Sequence, residues 1–473
     1  MYLIDELAQI IEGKFLSSRD HLEIASFSID SRKCTQGACF IALPGERTHG
    51  GEFIESAFLA GAAAAIVDRR WVKEKYKLED SFVENLSRTF GNIIVVNDAR
   101  EALWKLAKFH RKRFSPLTIA VTGTAGKTST KELIAHILSS QFEVLASPSS
   151  FNNDLGVPLT ILKLDGSHEA YVQELGASEI GSIRRLAELV CPSIGVLTNV
   201  GIAHLEGFGS PDAIYKAKLE LAEILSQFGG TLIFNGNDLN IHKLLKSNNL
   251  RKVSFGSPDS PWGIKETRLE ESKQVIKLNN GEEYRIPSLA PFQVWNSLAA
   301  VTVARLAGLS FEVCSHALET VEWPSGRFNF NKLGEDIIVI DDTYNANPTA
   351  FSASLKALKQ VEASRYIVVS GDMLELGSRS SHYHEELGRE MAETDFISAV
   401  ISVGKESEAV SKTAQRQNKN LNSWHFHSNS EAFRFLKSYL KPGDAVLIKG
   451  SRGMHLEEIV KDLKECFTSS PAS

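Results

Sequence analysis

Short apolar runs alternate with stretches of helical period along most of the chain. The clearest runs are "LTIAVT" (Leu117–Thr122), "EAYVQEL" (Glu169–Leu175), "SIGVLTNV" (Ser193–Val200) and "GGTLIFN" (Gly229–Asn235). Helical segments separate the first of them. Strands of this kind, apolar at nearly every position, predict a parallel sheet with both faces covered. The pattern returns near the C-terminus in "DIIVID" (Asp336–Asp341), "RYIVVS" (Arg365–Ser370), "ISAVISVG" (Ile397–Gly404) and "AVLIKG" (Ala445–Gly450). Before residue 98, strand-like "CFIAL" (Cys39–Leu43) and "AAAIVD" (Ala63–Asp68) mix with helical patterns, and the charged stretch Glu74–Asn92 reads as a surface excursion. Three α/β units are therefore expected. They are a small N-terminal domain (1–97), a central parallel-sheet domain of the phosphate-loop ATPase type (98–324) and a C-terminal Rossmann-like domain (325–473). The last has no glycine-rich dinucleotide fingerprint after its first strand, which argues against NAD.

With 473 residues, several cores are expected; 43% hydrophobic and 23% charged residues are those of a globular protein. A net charge of −6 gives no sign of a nucleic-acid or anionic-membrane partner. Five scattered cysteines without a C-x-x-C pair suggest reduced thiols. The N-terminus places acids among its apolar residues and does not read as a signal peptide. The longest apolar stretch, Ala57–Val67, is too short to span a bilayer. A cytoplasmic protein is the expectation.

The first chemical signal is "TGTAGKTST" (Thr122–Thr130), set between a strand and a helix. It is a shortened phosphate loop, with Val121 where the ordinary pattern has glycine. Gly123, Thr124, Gly126 and Ser129 would offer backbone and hydroxyl groups to an anion at the helix N-terminus. Lys127 would neutralise the outer phosphates, and the Thr128 hydroxyl would reach Mg²⁺. Glu174, at the end of its strand, would supply an oxygen ligand, or be a solvated strand-end carboxylate.

Ser210 and Pro211 open the next helix as N-cap and first residue. At about 100° per residue, Lys218 falls within the apolar stripe of Ile214, Ala217, Leu221, Ala222 and Leu225, and Lys216 falls opposite. A lysine so placed must snorkel, find a partner or lose its charge. Reaction with CO₂ would turn it into a carbamate, a carboxylate-like metal ligand. His204 precedes this helix as a structural residue or a ligand, although imidazole is not the natural choice of Mg²⁺.

In order along the chain come "SFNNDLGVP", "ELGAS", "TNVGIAHLEGFGS", "AKLE", "PSGRF", "DDTYNANP", "GDMLELG" and "KGSRGM". With the shortened loop they resemble the Mur ligases, over nearly the whole chain. "SFNNDLGVP" and "DDTYNANP" are similar to the branch acting on UDP-N-acetylmuramoyl-tripeptide (UDP-MurNAc-tripeptide) and D-alanyl-D-alanine (D-Ala-D-Ala). The resemblance implies an ATP-dependent ligase of monomeric state, with an acyl-phosphate intermediate and two Mg²⁺ ions. It implies that Lys218 is carbamylated, that Glu174 and His204 bind magnesium, and that Lys127 and Thr128 serve ATP and its metal. Asn296, Arg327 and Asp341 match nucleotide contacts. Asn152 and Asn153 match substrate-side positions. Ser31, Arg32 and the Gly45–Gly51 loop with Thr48 and His49 match the UDP-sugar site. Tyr344, Asn345 and Asn347 match the dipeptide loop, and Lys449 and Arg452 a closing motif. Phe292-Gln293 departs from the family's His-Asn, Ala125 from Asn or Ser, and Leu219 from glycine. His384 is a titratable candidate for the base that deprotonates the amine, or a structural histidine. Two other readings compete: a sister ligase such as folylpolyglutamate synthetase, and a nucleotide-dependent switch.

Overall fold

The apolar runs form strands, and the fold is α/β with parallel sheets. The computed structural model describes residues 1–15, 22–76, 92–149, 151–203, 205–238, 241, 245, 250–334 and 336–468. The expected excursion at Glu74–Asn92 lies almost wholly outside them. Contacts divide the chain into two units. The first holds Met1–Thr118, Phe142–Leu175 and Arg185–Cys191; the second holds Ile119–Gln141, Gly176–Arg184 and Pro192–Ser473.

In the first unit, β1 (Ser26–Ser28), β2 (Ala38–Ile41), β3 (Ala62–Asp68) and β4 (Asn92–Val96) are mutually parallel, and Lys14–Phe15 adds an antiparallel edge beside β4. β2 and β4 are buried at every position because both faces are covered. Ile41, Ile66 and Ile94 pack on one face with Ile4 and Leu7 and with Leu103 and Leu106 of α1 (Ala99–Arg111). Phe40, Val67 and Ile93 pack on the other with Ile54, Trp71 and Val72. The Asp98 carboxylate caps α1 by accepting from Glu101 N at 2.8 Å. The same unit carries the parallel pair Val144–Ala146 and Ala170–Glu174.

The second unit begins within β5 (Leu117–Thr122), at Ile119, and β5 leads through a turn into α2 (Lys127–Leu138). β6 (Ile194–Leu197) lies parallel to β5, and α3 (Pro211–Phe228) follows it. β7 (Thr231–Asn235) and β8 (Arg251–Phe255) extend the parallel array beyond β6. Ser210 Oγ accepts from Ala213 N at 3.3 Å to start α3, and left-handed Gly229 ends it. Lys218 is buried on α3 and Lys216 is exposed, as the periodicity predicts. Next comes an antiparallel sheet of β9 (Ile264–Glu270), β10 (Lys273–Leu278) and β11 (Glu283–Ile286), which the sequence reading did not anticipate. α4 (Pro291–Leu306) leads on to β12 (Asn329–Leu333), β13 (Ile337–Asp342), α5 (Pro348–Leu358), β14 (Arg365–Gly371), α6 (Ser380–Glu393), β15 (Ile397–Val403), β16 (Asn422–Phe426) and β17 (Asp444–Lys449). The strands form one sheet in the order β12-β13-β17-β14-β15-β16, parallel except at β12.

His110 of α1 is buried in the first unit. Its Nε2–H donates to Leu164 O at 2.8 Å, so Nδ1 accepts from the Tyr2 hydroxyl at 2.6 Å. Burial holds its pKa below the ordinary value, and Arg113 adds to the effect. Protonation is then easier in the unfolded chain. Stability is full above the ordinary histidine value of about 6.5 and falls as pH drops below it. Denaturant titrations between pH 7.5 and 5.5 are expected to show this decline, and His110→Gln to flatten it.

Candidate functional site

Val121, at the position of the missing glycine, is still strand: it is fully buried and paired with Val196 of β6. The turn therefore begins at Gly123. Its φ is +149°, and a Cβ there would stand 2.0 Å from Thr198 Oγ1. Gly126 caps α2 in the left-handed region at φ +78°, and a Cβ would stand 2.4 Å from Asn296 Oδ1. Thr124, Lys127, Thr128 and Ser129 share this turn and the start of α2, where helical N–H groups and the helix dipole favour an anion. Lys127 Nζ donates to Thr124 O at 3.2 Å.

Arg327 links this turn to a second loop. Its Nη2 donates to Thr128 Oγ1 at 2.9 Å, and its guanidinium lies 3.9 Å from the centre of the Tyr344 ring. Arg452 approaches the same ring at 5.8 Å and pairs with Glu457 at 3.2 Å. A guanidinium over an aromatic face is held by the ring quadrupole as well as by its hydrogen bonds.

Tyr344 belongs to the loop between β13 and α5. Asp341 Oδ1 accepts from Thr343 N at 3.2 Å and Thr343 Oγ1 at 2.6 Å. Its neighbour Asp342 accepts from Lys449 Nζ at 2.7 Å and Ser354 Oγ at 2.5 Å. Lys449 also donates to Asn345 O at 3.1 Å, and Asn347 caps α5 by accepting from Ala350 N at 2.8 Å. Lys449 and Asp342 are 3% and 6% exposed, so the pair is desolvated, and removing one partner would strand the other.

Asn296 is buried on α4. It accepts from Thr130 Oγ1 at 3.3 Å and donates to Gln293 Oε1 at 2.8 Å. Gln293 is thus a support for Asn296, one helical turn away. Phe292 stands edge-on to Phe328 at 5.6 Å, and Phe328 to the half-exposed Phe330 at 5.7 Å.

The other expected residues lie in the first unit. Glu174, 2% exposed, accepts from Asn152 Nδ2 at 2.8 Å. Asn153 Oδ1 accepts from Leu155 N and Gly156 N at 3.2 and 2.9 Å. His49 Nδ1 accepts from Gly51 N at 3.0 Å, so Nε2–H donates to Asp68 at 3.0 Å, and the ring stacks on Trp71 at 5.5 Å. Ser31 is buried, and Thr48 is exposed in the same loop as His49. Arg32 forms a two-point pair with Asp30 at 2.9 Å and draws that carboxyl down to about 2.

Back in the second unit, Lys218 is 4% exposed, and Glu220 on the same helix accepts from Gly181 N and Arg184 N at 2.6 and 2.9 Å. His204 lies outside the described residues. Among the described residues no group of three His, Cys, Asp or Glu side chains could hold a metal ion. A Mg²⁺ here would thus need phosphate oxygens, hydroxyls or a modified lysine as further ligands. No helix of the described residues is long and apolar enough to cross a membrane.

Comparison with known proteins places this geometry. Profiles described as Mur ligase family, catalytic domain; Mur ligase middle domain; and Mur ligase, glutamate ligase domain match residues 23–111, 121–304 and 326–452. The chain is 31% identical over 466 residues to the UDP-N-acetylmuramoyl-tripeptide–D-alanyl-D-alanine ligase of Bacillus subtilis, covering 98% of each. A crystal structure of MurF from Acinetobacter baumannii matches with a TM-score of 0.84 at 31% identity, covering 98% of this chain and 99% of that one. A structure of MurF ligase from Thermotoga maritima in complex with ADP matches with a TM-score of 0.79 at 27% identity, covering 94% and 98%. These matches carry the three-domain fold.

His384, the candidate base, is fully buried in α6. Nε2 accepts from Met373 N at 3.0 Å, and Nδ1–H donates to Ser380 O at 2.7 Å. Both nitrogens are engaged with backbone, which makes it a structural residue. His384→Ala is expected to cost about 2 kcal/mol in denaturant unfolding. The pH–rate profile of catalysis is expected to keep its wild-type shape.

Proposed function

The chain belongs to the Mur ligase family, and from that premise we propose that it joins D-Ala-D-Ala to the terminal carboxylate of UDP-MurNAc-tripeptide. It is an ATP-dependent, ADP-forming peptide ligase of peptidoglycan precursor synthesis. The observation that carries the reading is Arg327. One side chain touches both the phosphate-loop Thr128 and Tyr344 of the expected acceptor loop. A nucleotide switch has no need of the second contact.

A free carboxylate is a poor acyl donor, because direct attack by an amine must expel oxide. In the first step a carboxylate oxygen attacks the γ-phosphorus of ATP, and ADP leaves. In the second the dipeptide amine attacks the acyl-phosphate carbonyl. The tetrahedral adduct then collapses, with phosphate leaving and the nitrogen losing its proton. Lys127 meets the outer phosphates, lowering the repulsion between two anions that have to approach. Arg327 is a second fixed cation at the same turn. The ordinary amine pKa of about 8 means that the dipeptide must shed a proton before it attacks.

Two Mg²⁺ ions belong to the proposal, with Thr128, Glu174, His204 and a carbamate on Lys218 as protein ligands. Bound there, they would supply charge screening for the phosphoryl transfer. The buried hydroxyl of Thr128 and carboxylate of Glu174 are the hard oxygen donors that Mg²⁺ selects. The burial of Lys218 in an apolar stripe disfavours a bare ammonium, and a carbamate there would have its charge met by the Mg²⁺ it binds. We assign the UDP-sugar to residues 1–97, ATP to 98–324 and the dipeptide to 325–473. The family matches at 23–111, 121–304 and 326–452 support this division. Ser31, Arg32, Thr48 and His49 serve the UDP-sugar, Asn152 and Asn153 the tripeptide side. Gly123, Thr124, Gly126, Ser129, Asn296 and Asp341 serve the nucleotide; Tyr344, Asn345, Asn347, Lys449 and Arg452 serve the acceptor. The protein is assigned to the cytoplasm as a monomer.

Phosphate release from ATP is expected only with UDP-MurNAc-tripeptide and D-Ala-D-Ala together. Release with neither would return the chain to the switch reading. Turnover with a single amino acid in place of the dipeptide would favour a sister ligase. Lys127→Ala should lower turnover by about a thousandfold or more. Lys218→Ala should lose activity that acetate partly restores; wild-type turnover in this variant would remove the carbamate.

A further inference from the structure

The phosphate loop is two residues shorter between its glycines than the ordinary pattern, and the two that remain, Thr124 and Ala125, do not hold their shape alone. Asn199 follows β6 and meets both. Its carbonyl accepts from Thr124 N at 3.1 Å. Its side chain pairs with Ala125 on both sides, accepting from Ala125 N at 3.0 Å and donating to Ala125 O at 2.9 Å. A carboxamide bonded to the N–H and the C=O of one residue fixes that residue's orientation much as a neighbouring strand would. The loop is thus tied at both residues to Asn199, by its backbone carbonyl and by its side chain.

The segment carrying Asn199 is itself held in place. Thr198 Oγ1 donates to Ala125 O at 2.7 Å. Gly201 N donates to Thr124 Oγ1 at 2.9 Å, and that hydroxyl donates back to Gly201 O at 3.1 Å. Ile202 N donates to Thr349 Oγ1 at the start of α5 at 3.1 Å. With the Thr124 and Ala125 amides turned to Asn199, an anion is directed to the first turn of α2 beyond them.

We propose that Asn199 is a positioning residue for the nucleotide: it preforms the shortened loop and so fixes where the phosphates of ATP bind. The inference rests on the ligase reading for the identity of the nucleotide. Asn199→Ala removes the clamp. Asn199→Asp, nearly the same size, keeps an acceptor for Ala125 N but turns a carboxylate toward Ala125 O and toward the incoming anion.

The test is titration of the full chain with ADP in the presence of Mg²⁺, beside a titration with UDP. ADP affinity is expected to fall about tenfold in Asn199→Ala, equivalent to about 1.4 kcal/mol, and further in Asn199→Asp. UDP affinity is expected to stay at the wild-type value in both. ADP binding within twofold of wild type in either variant overturns the assignment, as does a parallel loss of UDP binding. A wild-type chain that binds ADP but does not ligate overturns the ligase reading and leaves the Asn199 assignment standing.

Discussion

The guanidinium of Arg327 is the point on which the phosphate turn and the acceptor loop of the second unit meet. It lies on the Tyr344 ring and reaches the Thr128 hydroxyl. Gly326, at φ +73°, makes the turn that delivers it, and a Cβ there would stand 2.9 Å from Tyr344 N. The loop carrying Tyr344 is pinned from beneath by the buried Lys449–Asp342 pair, on adjacent positions of β17 and β13. A cation, a ring and a buried ion pair thus tie the phosphate turn to the end of the C-terminal sheet.

Local signals were legible from the chain itself. Ser210 caps the helix it was expected to open, and the apolar period put Lys218 inside and Lys216 outside. These succeed because capping and amphipathicity are settled within one or two turns. The hairpins of β9 to β11 escaped for the opposite reason. Their first turn places Glu271 and Ser272 in the left-handed region at φ 44° and 67°, where glycine or asparagine is the usual marker. The second carries an Asn-Gly pair, with Gly281 at φ +90°, a turn signal that went unread.

The support of the site was less visible than its reactive groups. Asn199 bonds to Ala125 across 74 positions of sequence, a pairing that no spacing rule reports. Gln293 stands in the family position of an asparagine, yet here it is buried and steadies Asn296. That departure becomes intelligible once the side chain's partner is known. His384 shows the converse. A histidine near a helix start is ambiguous in sequence, and two backbone bonds decide it.

The contact between Arg327 and Thr128 also bears on the choice of inhibitors. The Thr128 hydroxyl accepts from the Arg327 guanidinium. A neutral fragment gains little there, whereas an anionic one can draw the guanidinium to itself and uncover the hydroxyl. Compounds aimed at this turn will therefore be sorted by charge before shape.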